Sequence, residues 1–263
     1  MSEERARSTD AGADSSEGIG GGIRVSVCVA TFNAGDYLAP QLASILSQLG
    51  DSDEVVASDN GSTDGTRERL AALADGDPRV RVLDLAASRP TGKENLIANF
   101  ENALAAARGR YLLLSDQDDV WLPHRVARTL AALREYDLVA GDAQVIDGDG
   151  RVVLASYLRA HGLRRGWWRA MLRNPYLGCT VGLRREVLAK ALPFPAKLPM
   201  HDIYLGMVAE TYFRPALLDV PLIQYRRHGA NASSAGERSP FTLAEKFGFR
   251  VRTLLALARV WPR

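Results

Sequence analysis

The sequence predicts an α/β fold, a mostly parallel sheet flanked by helices with a further region after it, and three observations predict it. Short β-branched runs alternate with amphipathic segments, and the connections between them are short. A cluster of three acids, Asp116, Asp118 and Asp119, directly follows an apolar run in YLLLSDQDDVW. Strands and helices that alternate through short links pair in parallel and cover both faces of the sheet, and ligands of such sheets bind beyond the carboxyl ends of the strands.

Residues 1–22 are rich in Gly, Ser and charge without an apolar run, and read as a disordered tail that is neither signal peptide nor membrane anchor. IRVSVCVAT is the first strand, apolar almost throughout as burial on both faces requires. DYLAPQLASILSQL places Leu38, Leu42, Ile45, Leu46 and Leu49 on one helical face, with Pro40 early enough to be tolerated. DEVVASD is the second strand, and TDGTRERLAALA the second helix, with Thr63 or Asp64 as its N-cap. RVRVLDL follows as a strand. GKENLIANFENALAAAR keeps Leu96, Phe100, Leu104 and Ala107 on one stripe, and RYLLLS is the strand that ends at the acids. PHRVARTLAALREY is a helix opened by Pro123, and DLVAGDAQVIDGDGRVV a hairpin turning at Asp149-Gly150. From Ser156 the pattern loosens into what reads as loops more than a second core. In the tail, Phe247, Val251, Leu254, Leu255, Ala258 and Trp261 form one helical face and Arg252, Arg259 and Arg263 another, the pattern either of an interfacial helix or of one closing the core.

Among 263 residues, 33 Lys and Arg against 31 Asp and Glu give a net charge of +2, so no global field points to nucleic acid. Cys28 and Cys179 are too few for a disulfide framework and lack zinc spacing, which fits a reducing cytosol. No stretch approaches the roughly 18 apolar residues of a membrane span.

Three carboxylates within four residues repel one another, and a hard divalent ion such as Mg²⁺ or Mn²⁺ is the simplest compensation. Such ions take one or two protein carboxylates and complete their shell with water and phosphate, which implies a phosphate ester or diphosphate substrate. The plainer reading is that the acids favour the N-terminus of the following helix. A calcium loop is disfavoured, because neither DNGSTDGT nor DGDG places ligands at the EF-hand positions.

Six stretches taken in order, VSVCVATFNAGDYLAPQLASILSQL, SDNGSTDGT, NFENALAAARGRYLLLSDQDDVW, GCTVGLRREV, MHDIYL and YRRHGANAS, resemble glycosyltransferase family 2. More narrowly they resemble its rhamnosyltransferase-like branch, whose acidic motif takes the form DQDD. The resemblance runs from Arg24 to Ser233 and implies a GT-A fold: a Rossmann-like nucleotide-sugar-binding half over 23–120, an acceptor half over 121–235, and then the helical tail over 236–263. It implies inverting, metal-dependent transfer from a dTDP- or UDP-linked donor, L-rhamnose or another deoxyhexose, to a saccharide or lipid-linked acceptor in cell-surface polysaccharide synthesis.

Carried over residue by residue, Ala30, Thr31 and Asn33 line the nucleotide pocket, and Asp59 holds the pyrimidine base with Asn60 beside it. Asp118 is the principal metal ligand, Asp119 supports it, and Asp116 faces the ribose. Lys93 is either a phosphate contact or a solvated helix-start lysine. Asp202 is the general base, or else an N-cap, and His228 a further metal ligand. Arg226 and Arg227 could clamp the diphosphate, NPYLGCTVGLRREV would wall donor from acceptor, and Trp167 and Trp168 could meet a sugar or lipid carrier. The tail helix would hold the chain at the inner membrane face. Two rivals stand beside this. A sugar nucleotidyltransferase usually opens with a Gly-rich loop that VATFNAGDY lacks, and a silent nucleotide-sugar or metal-binding module would be indifferent to Asp202→Asn.

Overall fold

The computed structural model describes residues 22–84, 93–227 and 242–260. β1 (Val25–Thr31) is buried at every position, and its side chains divide between two cores. Val25, Val27 and Val29 pack with Leu38, Leu42 and Ile45 of α1 (Leu38–Leu46), while Cys28 and Ala30 pack on the other face. β2 (Asp53–Asp59), α2 (Thr66–Gly76) and β3 (Val80–Asp84) continue the alternation, and α3 (Lys93–Ala106) lays Phe100, Ala103 and Leu104 against Cys28 and Val56. Each such fully buried side chain contributes on the order of 2 kcal/mol. β4 (Tyr111–Ser115) pairs with β1 in parallel and delivers the chain to the acidic cluster.

After the two-residue β5 (Val120–Trp121) come α4 (Arg125–Leu133), β6 (Leu138–Ile146) and β7 (Val152–Leu154), with β6 and β7 forming the expected hairpin. α5 (Tyr157–Ala160), α6 (Trp167–Leu172), β8 (Val181–Arg184), α7 (Arg185–Ala191), α8 (His201–Tyr212), β9 (Pro215–Arg226) and α9 (Leu243–Arg259) complete the chain. The strand order is β3-β2-β1-β4-β8-β6-β9-β5, with β7 on β6. The sheet is parallel through β3, β2, β1 and β4 and mixed beyond, where β8 enters antiparallel between β4 and β6.

Three local expectations change. α4 begins at Arg125, because His124 adopts a left-handed conformation (φ 67°) and Arg125 N–H closes a turn on Leu122 O. The cap of α2 is Gly65 (φ 87°), where a left-handed backbone favours glycine; Asp64, one residue earlier, accepts the Thr66 N–H instead. The region after Ser156 is not mainly loop. It supplies β8 and β9 to the same sheet; β8 went unread because four residues, VGLR, are too short to display a period, and the twelve-residue β9 because Pro215 and Pro221 read as loop signals.

Candidate active site

The acidic loop at the end of β4 is held through its backbone carbonyls, through the side chains of Ser115 and Gln117, and through one oxygen of Asp119. Gln41, buried on α1, donates to Ser115 Oγ (2.6 Å) and to Asp116 O (2.8 Å). Trp121 donates its indole N–H to the same Ser115 Oγ. Arg226 on β9 donates its backbone N–H to Asp119 Oδ1 and its guanidinium to the carbonyls of Asp118 and Gly148. Gln117 straps the loop to the end of β1 by accepting Phe32 N–H (2.6 Å) and donating to Phe32 O (3.0 Å).

Ligand atoms of Asp116, Asp119 and Cys179 all lie within 4.8 Å of one another. Burial first, then the charges of Asp118 and Asp202, pushes the Asp116 carboxyl up to about 7. Burial and the charges of Asp118 and Asp116 push Asp119 in the same direction. The Cys179 thiol is raised too, by its burial and then by both acids, so it stays protonated. Beneath the cluster lies Arg125, 1% exposed, with its guanidinium 3.7 Å over the Trp121 ring and Nη2 on Leu114 O. Burial lowers Arg125 only to about 9, so it remains a cation facing the acids.

Ala30 and Thr31 are buried at the end of β1, and the loops following β1 and β2 are laced together. Asn33 (φ 50°) donates its N–H to Ser62 Oγ and accepts Thr63 N–H on Oδ1. Asp64 accepts Gly35 N–H, and Asn60 N–H reaches Thr31 O. Asp59, wholly buried, accepts hydrogen bonds from Thr31 Oγ1, Ser62 Oγ and the backbone N–H groups of Gly61 and Ser62. These bonds make Asp59 shape the turn on which it stands, at the end of β2 where the base was expected.

Asp202 is not the N-cap of α8, a place taken by Met200, but stands in the first turn. Its charge acts on Asp116 and on Tyr157. The approach is permitted by Gly178, next to Cys179, where a β-carbon would lie 3.0 Å from His201 Nε2 and 3.4 Å from Asp202 Cβ. His201 is buried against Phe100, with ring centroids 4.2 Å apart.

The fold thus brings Asp116, Asp118, Asp119 and Asp202 to one locality, with Ala30, Thr31, Asn33, Asp59 and Asn60 along the adjoining strand ends. Lys93 opens α3, but its side chain, like the whole of His228, lies outside the described residues. The guanidinium of Arg226 is a strap on the acidic loop rather than an open anion clamp. Sequence reasoning gave no role to Gln117, Cys179 or Arg125. Gln117 stood in full view inside DQDD, whereas nothing local marks Cys179 or Arg125 as neighbours of the acids.

A strand-end acidic cluster on a sheet of this order is the architecture of GT-A glycosyltransferases. The fold matches S. aureus TarS in complex with UDP-GlcNAc at a TM-score of 0.65 and 21% identity, covering 88% of this chain and 66% of that one. It matches the mannosyltransferase PcManGT from Pyrobaculum calidifontis, in complex with GDP-Man and Mn²⁺, at 0.59 and 20% identity, covering 90% and 62%. The chain belongs to glycosyl transferase family 2, whose model matches residues 26–190. Among curated relatives, the uncharacterized glycosyltransferase alr2836 of Nostoc sp. is 28% identical over 226 residues, 80% of this chain and 66% of that protein. The Escherichia coli UDP-Glc:alpha-D-GlcNAc-diphosphoundecaprenol beta-1,3-glucosyltransferase WfgD is 24% identical over 188 residues, covering 70% and 68%. The chain spans just under two thirds of the Nostoc protein's length and 35% of that of the succinoglycan biosynthesis protein ExoO of Rhizobium meliloti. Among the described residues no helix is long and apolar enough to cross a membrane.

Proposed function

We propose that this chain is an inverting, divalent-metal-dependent glycosyltransferase of cell-surface polysaccharide assembly. It moves a sugar, a deoxyhexose such as L-rhamnose, from a dTDP- or UDP-linked donor to a saccharide or lipid-linked acceptor. The observation that carries this reading is the cluster of Asp116 and Asp119 at the end of β4, raised by burial and mutual repulsion, with Asp119 Oδ2 buried beside the Cys179 thiol and without a donor within hydrogen-bond distance among the described residues. A buried carboxylate oxygen without a donor is costly unless a cation completes it. The donor set suits a hard ion such as Mg²⁺ or Mn²⁺, because the carboxylates supply oxygen while Cys179 is held as a neutral thiol and is no ligand for a soft metal.

In this reading Asp118 and Asp119 hold the ion, His228 adds a further ligand, and Asp116 faces the donor ribose. The ion, when bound, neutralises the departing diphosphate. Ala30, Thr31, Asn33 and Asn60 line the nucleotide side on a turn whose shape Asp59 sets, and Lys93 faces the phosphates. Asp202 takes the proton of the acceptor hydroxyl as its oxygen attacks the anomeric carbon opposite the leaving diphosphate, which inverts that carbon. Support for this role is the reach of the Asp202 charge to Asp116 and the close seat that Gly178 gives the start of α8.

The relatives' names carry UDP-Glc, UDP-GlcNAc and GDP-Man, so the donor is settled by a panel. Nucleotide release from dTDP-, UDP- and GDP-sugars is measured with Mn²⁺, with Mg²⁺ and with chelator, for the parent and for Asp118→Ala. Metal-dependent release from a dTDP- or UDP-sugar, absent in the variant, is expected. Metal-dependent nucleotide binding without turnover on any donor, acceptor extract included, would replace the enzyme with a silent binding module.

A further inference from the structure

Ten large hydrophobic side chains are exposed among the described residues, and seven of them stand on two short stretches, α6 and α9. α9 is tied to the domain by a narrow stripe, Thr253, Ala256 and Leu257, which packs toward α8. At about 100° per residue, Leu243, Phe247, Val251, Leu254 and Leu255 fall within an arc of roughly 120° on another side of the helix. Phe247 is 69% exposed and Leu255 63%. α6 repeats the arrangement in miniature. Ala170 and Met171 are buried, the Trp167 indole N–H is pinned to Thr211 Oγ1, and Trp168 and Leu172, one turn apart, are 75% and 65% exposed. The two helices are neighbours, because the Arg250 guanidinium on α9 donates to Leu172 O at 2.7 Å.

Charge decides what covers this face. Residues 163–173 and 242–260 carry eight Arg and Lys and a single acid, Glu245, which is occupied in the capping box at the start of α9. With the chain at +2 overall, the remainder is net acidic, so the positive charge is concentrated where the apolar side chains are exposed. A second copy placed face to face would set seven of those cations, Arg165 being paired with Glu210, against seven more, whereas an anionic bilayer offers opposite charge at its surface and an apolar layer just below it. Tryptophan, with an apolar body and a polar N–H, suits that boundary.

We propose that α6 and the outer face of α9 form one interfacial surface that docks the chain on an anionic lipid bilayer, with α9 lying in the plane of the membrane. This goes beyond the donor and acceptor chemistry, and its test needs no turnover. The full chain is sedimented with phosphatidylcholine vesicles with and without phosphatidylglycerol, for the parent, for Phe247→Ser with Leu254→Ser, and for Arg252→Glu with Arg259→Glu. Binding to the anionic vesicles is expected to exceed binding to neutral ones by about tenfold or more and to fall by a similar factor in each double variant. Parent tryptophan emission should shift to the blue on binding, and the shift should diminish in Trp168→Phe. All these positions are exposed, so circular dichroism and donor hydrolysis should match the parent. Failure of the parent to sediment with anionic vesicles would overturn the proposal. So would a concentration-dependent dimer, seen by light scattering, that Phe247→Ser with Leu254→Ser dissolves. Vesicle binding without hydrolysis of any donor would leave the docking surface standing and remove the proposed activity.

Discussion

Glu54 and Asp53 at the amino end of the sheet, and Asp116 and Asp119 at its carboxyl end, are buried acids treated in opposite ways. At the amino end, Glu54 on β2 accepts Ser26 Oγ and Arg108 N–H on one oxygen, and the guanidinium groups of Arg108 and Arg81 on the other. Its neighbour Asp53 holds Arg24 in a two-pronged pair at 2.9 and 2.6 Å. Burial opposes the charge on Glu54, but the bonds from Arg108, Ser26 and Arg81 outweigh it and draw the carboxyl down to about 2. At the carboxyl end, Asp116 and Asp119 are pushed the other way, with the recessed Arg125 as a counter-charge too weak to offset burial and their mutual repulsion. Glu54 and Asp53 are satisfied within the fold, whereas Asp116 and Asp119 are left to repel one another, which is what the proposed metal site requires.

The largest break in that contrast comes from Asp119→Asn, which keeps an acceptor for Arg226 N–H but removes one charge. Sugar transfer should fall at least about a thousandfold, or roughly 4 kcal/mol, while the ion-free protein should melt no lower than the parent. Calorimetry should also show Mn²⁺ raising the parent's melting temperature and not the variant's; a variant that melts well below the parent would make the cluster structural. Glu54→Gln should do the reverse. Its loss leaves partly buried arginines unpaired and should cost about 2–3 kcal/mol by urea denaturation, with turnover per folded molecule within about twofold of the parent.

Gln117→Ala cuts the strap between the acidic loop and Phe32. A drop in kcat/KM of about tenfold, roughly 1.4 kcal/mol, is expected, against a stability change of about 1 kcal/mol. Unchanged kinetics would show that the remaining backbone supports suffice. The smallest effect is the sign of the pH dependence. Glu54 contributes stability that is present above its ordinary 4.5 and is lost as pH falls toward about 2. Asp116 contributes stability to the ion-free protein that is present below its ordinary 3.8 and is lost as pH rises through about 7. Stability measured by denaturation across that range should therefore decline at both ends, and Asp116→Asn should flatten only the upper decline; a decline at high pH that persists in the variant would belong to another group.

Much of the first half was legible because its physics is local. Val25–Thr31 is buried on both faces and shows it as a nearly continuous apolar run, while Asp53–Asp59, equally buried, keeps its apolar residues to Val55, Val56 and Ala57 between acids that the fold satisfies. The start of α4 was misread because Pro123 is tolerated in a first turn, yet His124 takes a left-handed turn that no periodicity announces. β8 escaped notice because its four residues owe their extended form to β4 and β6 on either side. In the site, the aspartates were visible as a repulsive cluster, but their environment was not. Arg226 reaches the loop from 108 positions away, and Cys179 enters the acid cluster from β8's approach without any pattern of its own.

By itself the sequence determined the α/β alternation, the acids at a strand end and the apolar stripe of the last helix, since all three are carried by neighbours within a turn or two of chain. Only the tertiary structure decided which acids are neutralised and which are not, that Asp59 also shapes its own turn, and that the stripe on α9 faces outward beside Trp168 and Leu172. Those outcomes depend on which distant groups share a small volume: a carboxylate's charge is set by the donors and cations within a few ångströms, and those come from segments that only folding brings together.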